Sequence, residues 1–402
     1  MSKNIIFVAP LPPIPVTSGY SYYLMNRIEY LKNNNYKIFF FTQASNLDNN
    51  KSLIALKQYC EEIQAYPKSN KRLNRILLNL RRLWLPRTVS SLFSSKMKSD
   101  IALCLNSRKI DAVFVEYPYL LINIPFLKDS TPPIILAQHN LEFSKMKKRA
   151  KHNQSLLKSL LILFESYMLK NYERKNVKKK MVSLYTFISD ENKNDFEQIF
   201  KTDNTYLLPV GYNVHGRNQL IYHKGKIVFV GAMDVMSNIL AMEWFVDKIF
   251  PALTEKIPNI KLYIVGRNPP EKITSLKSEN TVVTGTVAKV DDYLLDAHLY
   301  IVPLTFGDGV KIKTIEAFAT GNIVVSTNIG IEGVSAFVQN TDYLLANTEE
   351  EFIQSCFDVL SCRENYEHLA KSASGKVQKL YSWKSILQSY ESKISDLMEK
   401  SV

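Results

Sequence analysis

Gly307-Asp308-Gly309, Lys311, Lys313 and Glu316 fall within ten consecutive residues and combine the groups that could hold a phosphorylated ligand. The glycines allow a ligand to approach the backbone closely. Lys313 and Glu316 stand three apart and so share one helical face close to that helix's start. The apolar runs on either side, Tyr300 to Val302 and Ile323 to Ser326, read as buried strands, and Ile312, Ile315, Phe318 and Ala319 recur at helical spacing between them. Gly321 falls where a left-handed helix stop is wanted. A cation, a carboxylate and free backbone N–H groups therefore gather at the carboxyl end of a parallel strand. Open α/β sheets bind ligands there, and a helix N-terminus favours a phosphate. A surface ion pair would have the same spacing; the glycine turn weighs toward a ligand.

A second group belongs to the first half of the chain. Gln138-His139-Asn140 follows the apolar run Ile134 to Ala137, which puts His139 at a strand's carboxyl end, in the same relative place as the Gly307 turn. Ser18 and Gly19 open a helical pattern from Tyr20 to Leu31 after a proline-rich loop, facing the same sheet edge. A satisfied structural histidine and a plain turn are the alternatives at these two places.

The elements that must position these groups alternate. Asn4 to Val8, Lys37 to Phe41, Ala112 to Val115, Ile134 to Ala137 and Leu184 to Ile188 read as buried strands with helical stretches between them. Pro, Gly, His and Asn accumulate from Pro209 to Lys226, and a second series follows: Lys226 to Val230, Lys261 to Val265, Thr281 to Val283, Leu299 to Pro303 and Ile323 to Ser326. This implies an α/β protein of two doubly wound parallel-sheet domains, residues 1–212 and 213–382, with a last helix over 383–402 that could return to the first domain. A chain of 402 residues has room for both cores.

Charge is unevenly spread. Residues 1–215 hold 32 Lys and Arg against 16 Asp and Glu, and the remainder 19 against 22. The basic half argues for an anionic partner, a membrane surface or a nucleic acid. Two amphipathic basic stretches stand out. One runs from Lys71 to Leu85, with Arg72, Arg75, Asn79 and Arg82 opposite Leu73, Ile76, Leu77, Leu80 and Trp84. The other runs from Lys145 to Lys180 and contains Leu156, Leu157, Leu160, Leu161 and Phe164. Both could pack on the sheet, or dock on an anionic leaflet where each Lys or Arg is worth about 1 kcal/mol. No helix-turn-helix, zinc or stacking-aromatic signature supports nucleic acid. No stretch approaches the roughly 20 apolar residues of a membrane span, and Ile5 to Ala9 stops at Pro10, which suits a strand better than an export signal. The four cysteines, Cys60, Cys104, Cys356 and Cys362, lack metal-like spacing. A cytoplasmic protein, peripheral at the inner face of the membrane, is expected.

These residues resemble glycosyltransferase family four with the GT-B architecture, and within it sugar transferases of exopolysaccharide systems. The resemblance rests on Phe7-Val-Ala-Pro-Leu-Pro-Pro with Ser18-Gly19, on Ala137-Gln-His-Asn-Leu-Glu142, and on Val230-Gly-Ala-Met-Asp-Val-Met-Ser-Asn238 followed by Trp244. Most specific is Pro303-Leu-Thr-Phe-Gly-Asp-Gly-Val-Lys-Ile-Lys-Thr-Ile-Glu-Ala-Phe-Ala319 with Ile331-Glu-Gly333. It implies two Rossmann-like domains facing a cleft and a nucleotide-sugar, UDP- or GDP-linked, held mainly by the second domain. It also implies a glycan or lipid-linked acceptor on the first domain, and transfer with retention and without metal. Carried over by position, Glu316 bonds the donor ribose, Lys311 and Lys313 face the diphosphate, Asp308 lies near the transferred sugar, and His139 points toward acceptor or sugar. Gly19, Gly231, Gly285, Gly307 and Gly309 line the loops around the ligands. The chain departs from the family in having Asp308 for a glutamate, Ala232 and Met233 where an arginine is usual after Gly231, and Tyr20 for a second glycine after Gly19. A sugar-nucleotide epimerase on the same fold is the alternative reading; it would need more carboxylates and histidines than His139 and Asp308 provide.

Overall fold

The computed structural model describes residues 2–16, 18–44, 51–67, 85–125, 132–151, 155–212, 222–307 and 309–400. The amphipathic pattern from Lys71 to Leu85, all but its last residue, and Asp308 lie outside them.

The first unit comprises residues 1–209 and 387–402, and the second residues 210–386. Seven parallel strands form the first sheet: β1 (Lys3–Ala9), β2 (Tyr36–Gln43), β3 (Glu62–Tyr66), β4 (Ala112–Glu116), β5 (Ile134–Gln138), β6 (Leu184–Phe187) and β7 (Thr205–Leu207), in the order β3-β2-β1-β4-β5-β6-β7. Six more form the second: β8 (Lys226–Val230), β9 (Lys261–Val265), β10 (Thr281–Gly285), β11 (Leu299–Val302), β12 (Val324–Ser326) and β13 (Leu344–Leu345), ordered β10-β9-β8-β11-β12-β13. Both are doubly wound. Strand order reverses between β1 and β4 in one and between β8 and β11 in the other, and these reversal points are where such sheets open a crevice.

The central strands read as continuous apolar runs because helices cover both faces. Ile5 to Ala9, Ala112 to Val115 and Ile227 to Phe229 are fully or almost fully buried, and Phe7 stacks on Phe114 with ring centroids 4.7 Å apart. Three strands escape the sequence reading. β3 is a largely half-buried sheet edge in which Glu62 and Gln64 alternate with Ile63 and Ala65, and β7 and β13 are only three and two residues long. The alternation in β3 was a strand cue, whereas β7 and β13 are too short to show a period. The basic stretch from Lys145 to Lys180 falls in two helices, Glu142–Lys151 and Leu156–Lys178. The last helix, Trp383–Glu399, donates and accepts within the first unit: Lys3 Nζ meets Ser395 Oγ at 2.9 Å and Tyr30 Oη meets a Glu391 carboxylate oxygen at 2.8 Å.

Candidate active site

In the second unit, β11 ends at Val302 and the chain turns through Gly307 and Gly309, whose φ angles of 138° and 83° favour glycine. The helix Ile312–Ala319 then begins with Lys311 at its cap position and no side-chain cap, so its first-turn N–H groups face the loop without a side-chain partner. Ile315, Phe318 and Ala319 are buried and fix the helix on the sheet, which leaves Lys313 and Glu316 at its half-buried margin. Gly321, with φ 70°, closes it.

Lys313 lies over the Phe229 ring, its Nζ 4.4 Å from the centroid, and donates to Asn238 Oδ1 at 2.5 Å. Burial, reinforced by repulsion from Lys311, pulls its ammonium down to about 7. Burial, with Asp291 nearby, pushes the Glu316 carboxyl up to about 7. Lys311 is buried; its Nζ donates to Gly309 O at 2.7 Å and to Glu332 Oε2 at 3.1 Å. Gly231 follows β8 at the same sheet edge, and a Cβ there would stand 2.7 Å from Asn238 Nδ2 and 2.9 Å from Lys313 Nζ. The structure thus brings Gly231, Gly307, Gly309, Lys311, Lys313 and Glu316 to the ends of β8 and β11. Gly285 instead ends β10, two strands from β8 across the sheet, with φ 71° and open space beside it. Sequence reasoning assigned no role to Asn238 or Glu332, although both stand inside quoted motifs. Their signal was a polar residue opposite a lysine, visible only after folding.

In the first unit, His139 follows β5, and its Nε2 lies 3.0 Å from Glu116 Oε2 at the end of β4. The other Glu116 oxygen accepts from Arg27 Nη1 at 2.6 Å, and Arg27 Nη2 donates to Tyr390 Oη at 3.3 Å. All three charged or titratable groups are buried. Burial by itself would raise Glu116; the Arg27 guanidinium and the His139 bond instead hold it below the usual carboxylate range. Tyr117 stacks on the His139 ring at 4.5 Å with φ 79°, a left-handed conformation that is costly for a bulky residue and concentrates at functional places. Ser18 caps the helix Gly19–Asn33 by accepting from Ser21 N, and Tyr20 of the first turn lies 5.6 Å from His139 ring to ring. Gly19 and His139 are therefore close in the fold. Arg27 and Glu116 were missed because neither stands in a motif, though a carboxylate ending the apolar strand Ala-Val-Phe-Val-Glu116 was a cue.

Residues 224–362, wholly within the second unit, match the family model described as Glycosyl transferases group 1. The span includes Gly231, Gly285, Lys311, Lys313 and Glu316. A Klebsiella pneumoniae protein described as "Uncharacterized 44.6 kDa protein in cps region" is 24% identical over 96% of this chain and 98% of its own. A Rickettsia africae glycosyltransferase superposes with a TM-score of 0.65 at 14% identity, covering 99% of each chain. Anabaena HepE, solved with UDP and glucose, gives 0.63 at 12% identity over 98% of this chain and 100% of its own. The architecture is that of GT-B glycosyltransferases, and the family match supports an enzyme of the glycosyltransferase class.

Proposed function

We propose that the protein is a retaining, metal-independent glycosyltransferase that moves a sugar from a nucleotide-sugar, bound by the second unit, to a surface-polysaccharide or lipid-linked acceptor engaged by the first. The observation that carries this reading is the assembly of Lys311, Lys313, Glu316 and an uncapped helix start at the ends of β8 and β11. Departure of a nucleoside diphosphate builds negative charge on its phosphates, and preorganised cations with helix N–H groups stabilise that charge. A half-neutral Lys313 regains its proton when a diphosphate arrives, so the site acquires its cation as the ligand needs it. Glu316, an acceptor when ionised, suits the paired hydroxyls of a ribose.

His139 extends the reading to the first unit. With Nε2 turned to Glu116, its Nδ1 is the nitrogen left to meet a sugar hydroxyl. Asp308 keeps the role implied by the resemblance, near the transferred sugar. The UDP held by Anabaena HepE makes UDP-sugars the first donors to try, with GDP-sugars next, and the cps-region relative favours a capsular type of polysaccharide.

Calorimetric titration with UDP- and GDP-sugars tests the donor assignment. Glu316→Ala is expected to weaken binding at least tenfold, the loss of about two hydrogen bonds to a charged group; unchanged affinity removes Glu316 from the site. Donor incubated alone should yield no isomerised sugar nucleotide, and its appearance would favour the epimerase.

A further inference from the structure

The helix Leu156–Lys178 is held to the first unit by one face: Ser166 Oγ donates to Phe143 O at 2.6 Å, a Glu165 carboxylate oxygen accepts from Thr88 N at 3.0 Å, and Leu169 is buried. Its other face carries Leu156, Leu157, Leu160, Leu161, Phe164 and Tyr167, each between 56% and 78% exposed. Six large apolar side chains at helical spacing make a contiguous patch, which a protein surface seldom leaves in water. Lys175 stands eighteen residues, five whole turns, after Leu157, and Lys178 stands eighteen after Leu160. The exposed face is therefore apolar in its first half and cationic in its last turns. The adjoining helix Glu142–Lys151 adds exposed Lys145, Lys147 and Arg149.

We infer that this face is a membrane-docking surface whose partner is an anionic lipid leaflet. Charge complementarity selects that partner: residues 142–180 hold 12 Lys and Arg against 3 Asp and Glu, and of the three acids Glu173 is buried and Glu165 is engaged with Thr88. Neutral interfaces between copies of one chain have no use for such an excess, whereas an anionic surface attracts it. Geometry selects the mode. The apolar segment from Leu156 to Tyr167 is about 17 Å long, too short for a bilayer core of about 30 Å. Among the described residues no helix is long and apolar enough to cross a membrane. The helix lies in the interface, with its leucines among the acyl chains and its lysines at the headgroups. This surface is separate from the donor residues and does not depend on the glycosyl-transfer reading.

Flotation of the full chain with phosphatidylglycerol/phosphatidylcholine vesicles tests the inference. The wild-type chain should float with anionic vesicles and less so as salt rises. Leu160→Ser/Leu161→Ser/Phe164→Ser should lower partitioning at least about tenfold, since three apolar side chains no longer enter the acyl region. Lys175→Glu/Lys178→Glu should lower it about fivefold or more per lysine, on anionic vesicles only. A wild-type chain that does not float, or a triple variant that floats as the wild type does, overturns the inference. So does a wild-type dimer in sedimentation that the triple variant turns into a monomer without any vesicle binding, because a second copy then covers the face. Should the triple variant fail to fold, the lysine pair decides. Glu316→Ala should float unchanged, which separates this result from the donor assignment.

Discussion

Two clusters of ionisable groups, one buried and one partly buried, sit at equivalent places, the carboxyl-end reversal points of two parallel sheets, and they are built on opposite principles. Around Glu116 every charge has its complement: Arg27 on one oxygen, His139 on the other, and the carboxyl held below its ordinary range. Around Lys313 burial has gone ahead of compensation. Its ammonium and the Glu316 carboxyl are both displaced to about 7, so each is half neutral where its ordinary counterpart would be charged. The first cluster is closed in charge, although Arg27 Nε is buried without a hydrogen-bond partner, and it holds the His139 ring through Glu116. The second is open, and its displaced protons mark interactions that a ligand would complete. Matched opposite charges suit a positioning device; displaced groups without a counter-charge at hand suit a binding site.

The contrast breaks most visibly under single substitutions in the closed cluster. Removing one member of a buried pair strands the other, at about 3–5 kcal/mol. Glu116→Gln or Arg27→Met should each lower stability by about that amount in denaturant unfolding. The double variant Arg27→Met/Glu116→Leu should recover much of the loss, because no uncompensated charge remains and Arg27 already lies among the rings of Phe7, Tyr23, Phe114 and Tyr390. Single variants as stable as the wild type would show that the cluster is not closed in this sense.

In the open cluster the sign reverses. Lys313 in the folded chain titrates near 7 against an ordinary 10.5, so the unfolded chain binds more protons between those values and stability from this group rises with pH across them. Glu316 titrates near 7 against an ordinary 4.5, so the folded chain binds more protons in that window and stability falls as pH rises through it. The pair costs most near pH 7. Lys313→Met/Glu316→Gln should therefore be neutral or stabilising at that pH, by up to about 1–3 kcal/mol, while donor binding is lost. A strong destabilisation would make these residues a structural ion pair after all.

Ligand-linked titration sharpens the same point at a smaller scale. A diphosphate raises the proton affinity of any group beside it, so donor binding near pH 7 should take up protons. The calorimetric enthalpy should vary with the buffer's ionisation enthalpy, and affinity should decline between pH 7 and 8 by up to about tenfold, the limit for one linked proton. A buffer-independent enthalpy would mean that no net proton is taken up, either because Lys313 is not recharged or because Glu316 releases a proton as it accepts from the ribose.

The open cluster was largely legible in the sequence and the closed one was not. Lys311, Lys313 and Glu316 lie within six residues on one helix start, so local spacing sufficed to bring them together. The closed cluster joins residues 89 apart in the Arg27–Glu116 pair and 363 apart in the Arg27–Tyr390 pair, which only the strand order and the return of the last helix bring together. The parallel sheets were legible where both faces are covered and the apolar run is unbroken, as in β1, β4 and β8. They were not at the edges β3, β7 and β13, whose residues, Tyr66 apart, are half-buried. The exposed leucines from Leu156 to Phe164 were readable as apolar and basic-flanked, but their periodicity suits packing and docking equally. Only their exposure distinguishes the two.

The smallest expected effect belongs to Gly231. Its backbone φ is not in the left-handed region, so a side chain is excluded by neighbours rather than by conformation. Those neighbours are the end of the flexible Lys313 side chain, its Nζ 2.9 Å from the place an alanine methyl would take, and the buried amide of Asn238, whose Nδ2 stands at 2.7 Å and Cγ at 3.0 Å. Lys313 can move by a rotamer adjustment costing about 1 kcal/mol, whereas Asn238 moves only by loosening its bonds to Ala232 O and Lys313 Nζ, at about another 1 kcal/mol. Gly231→Ala should accordingly fold with a melting temperature within a few degrees of the wild type. The cost falls on the ligand, because the displaced ammonium is the one that answers the diphosphate, and donor affinity should drop several-fold through Lys313 alone. Combining Gly231→Ala with Lys313→Met should then add little to the loss caused by Lys313→Met. Full additivity would mean that Gly231 meets the donor directly, through its own backbone, and that the open cluster extends to the end of β8.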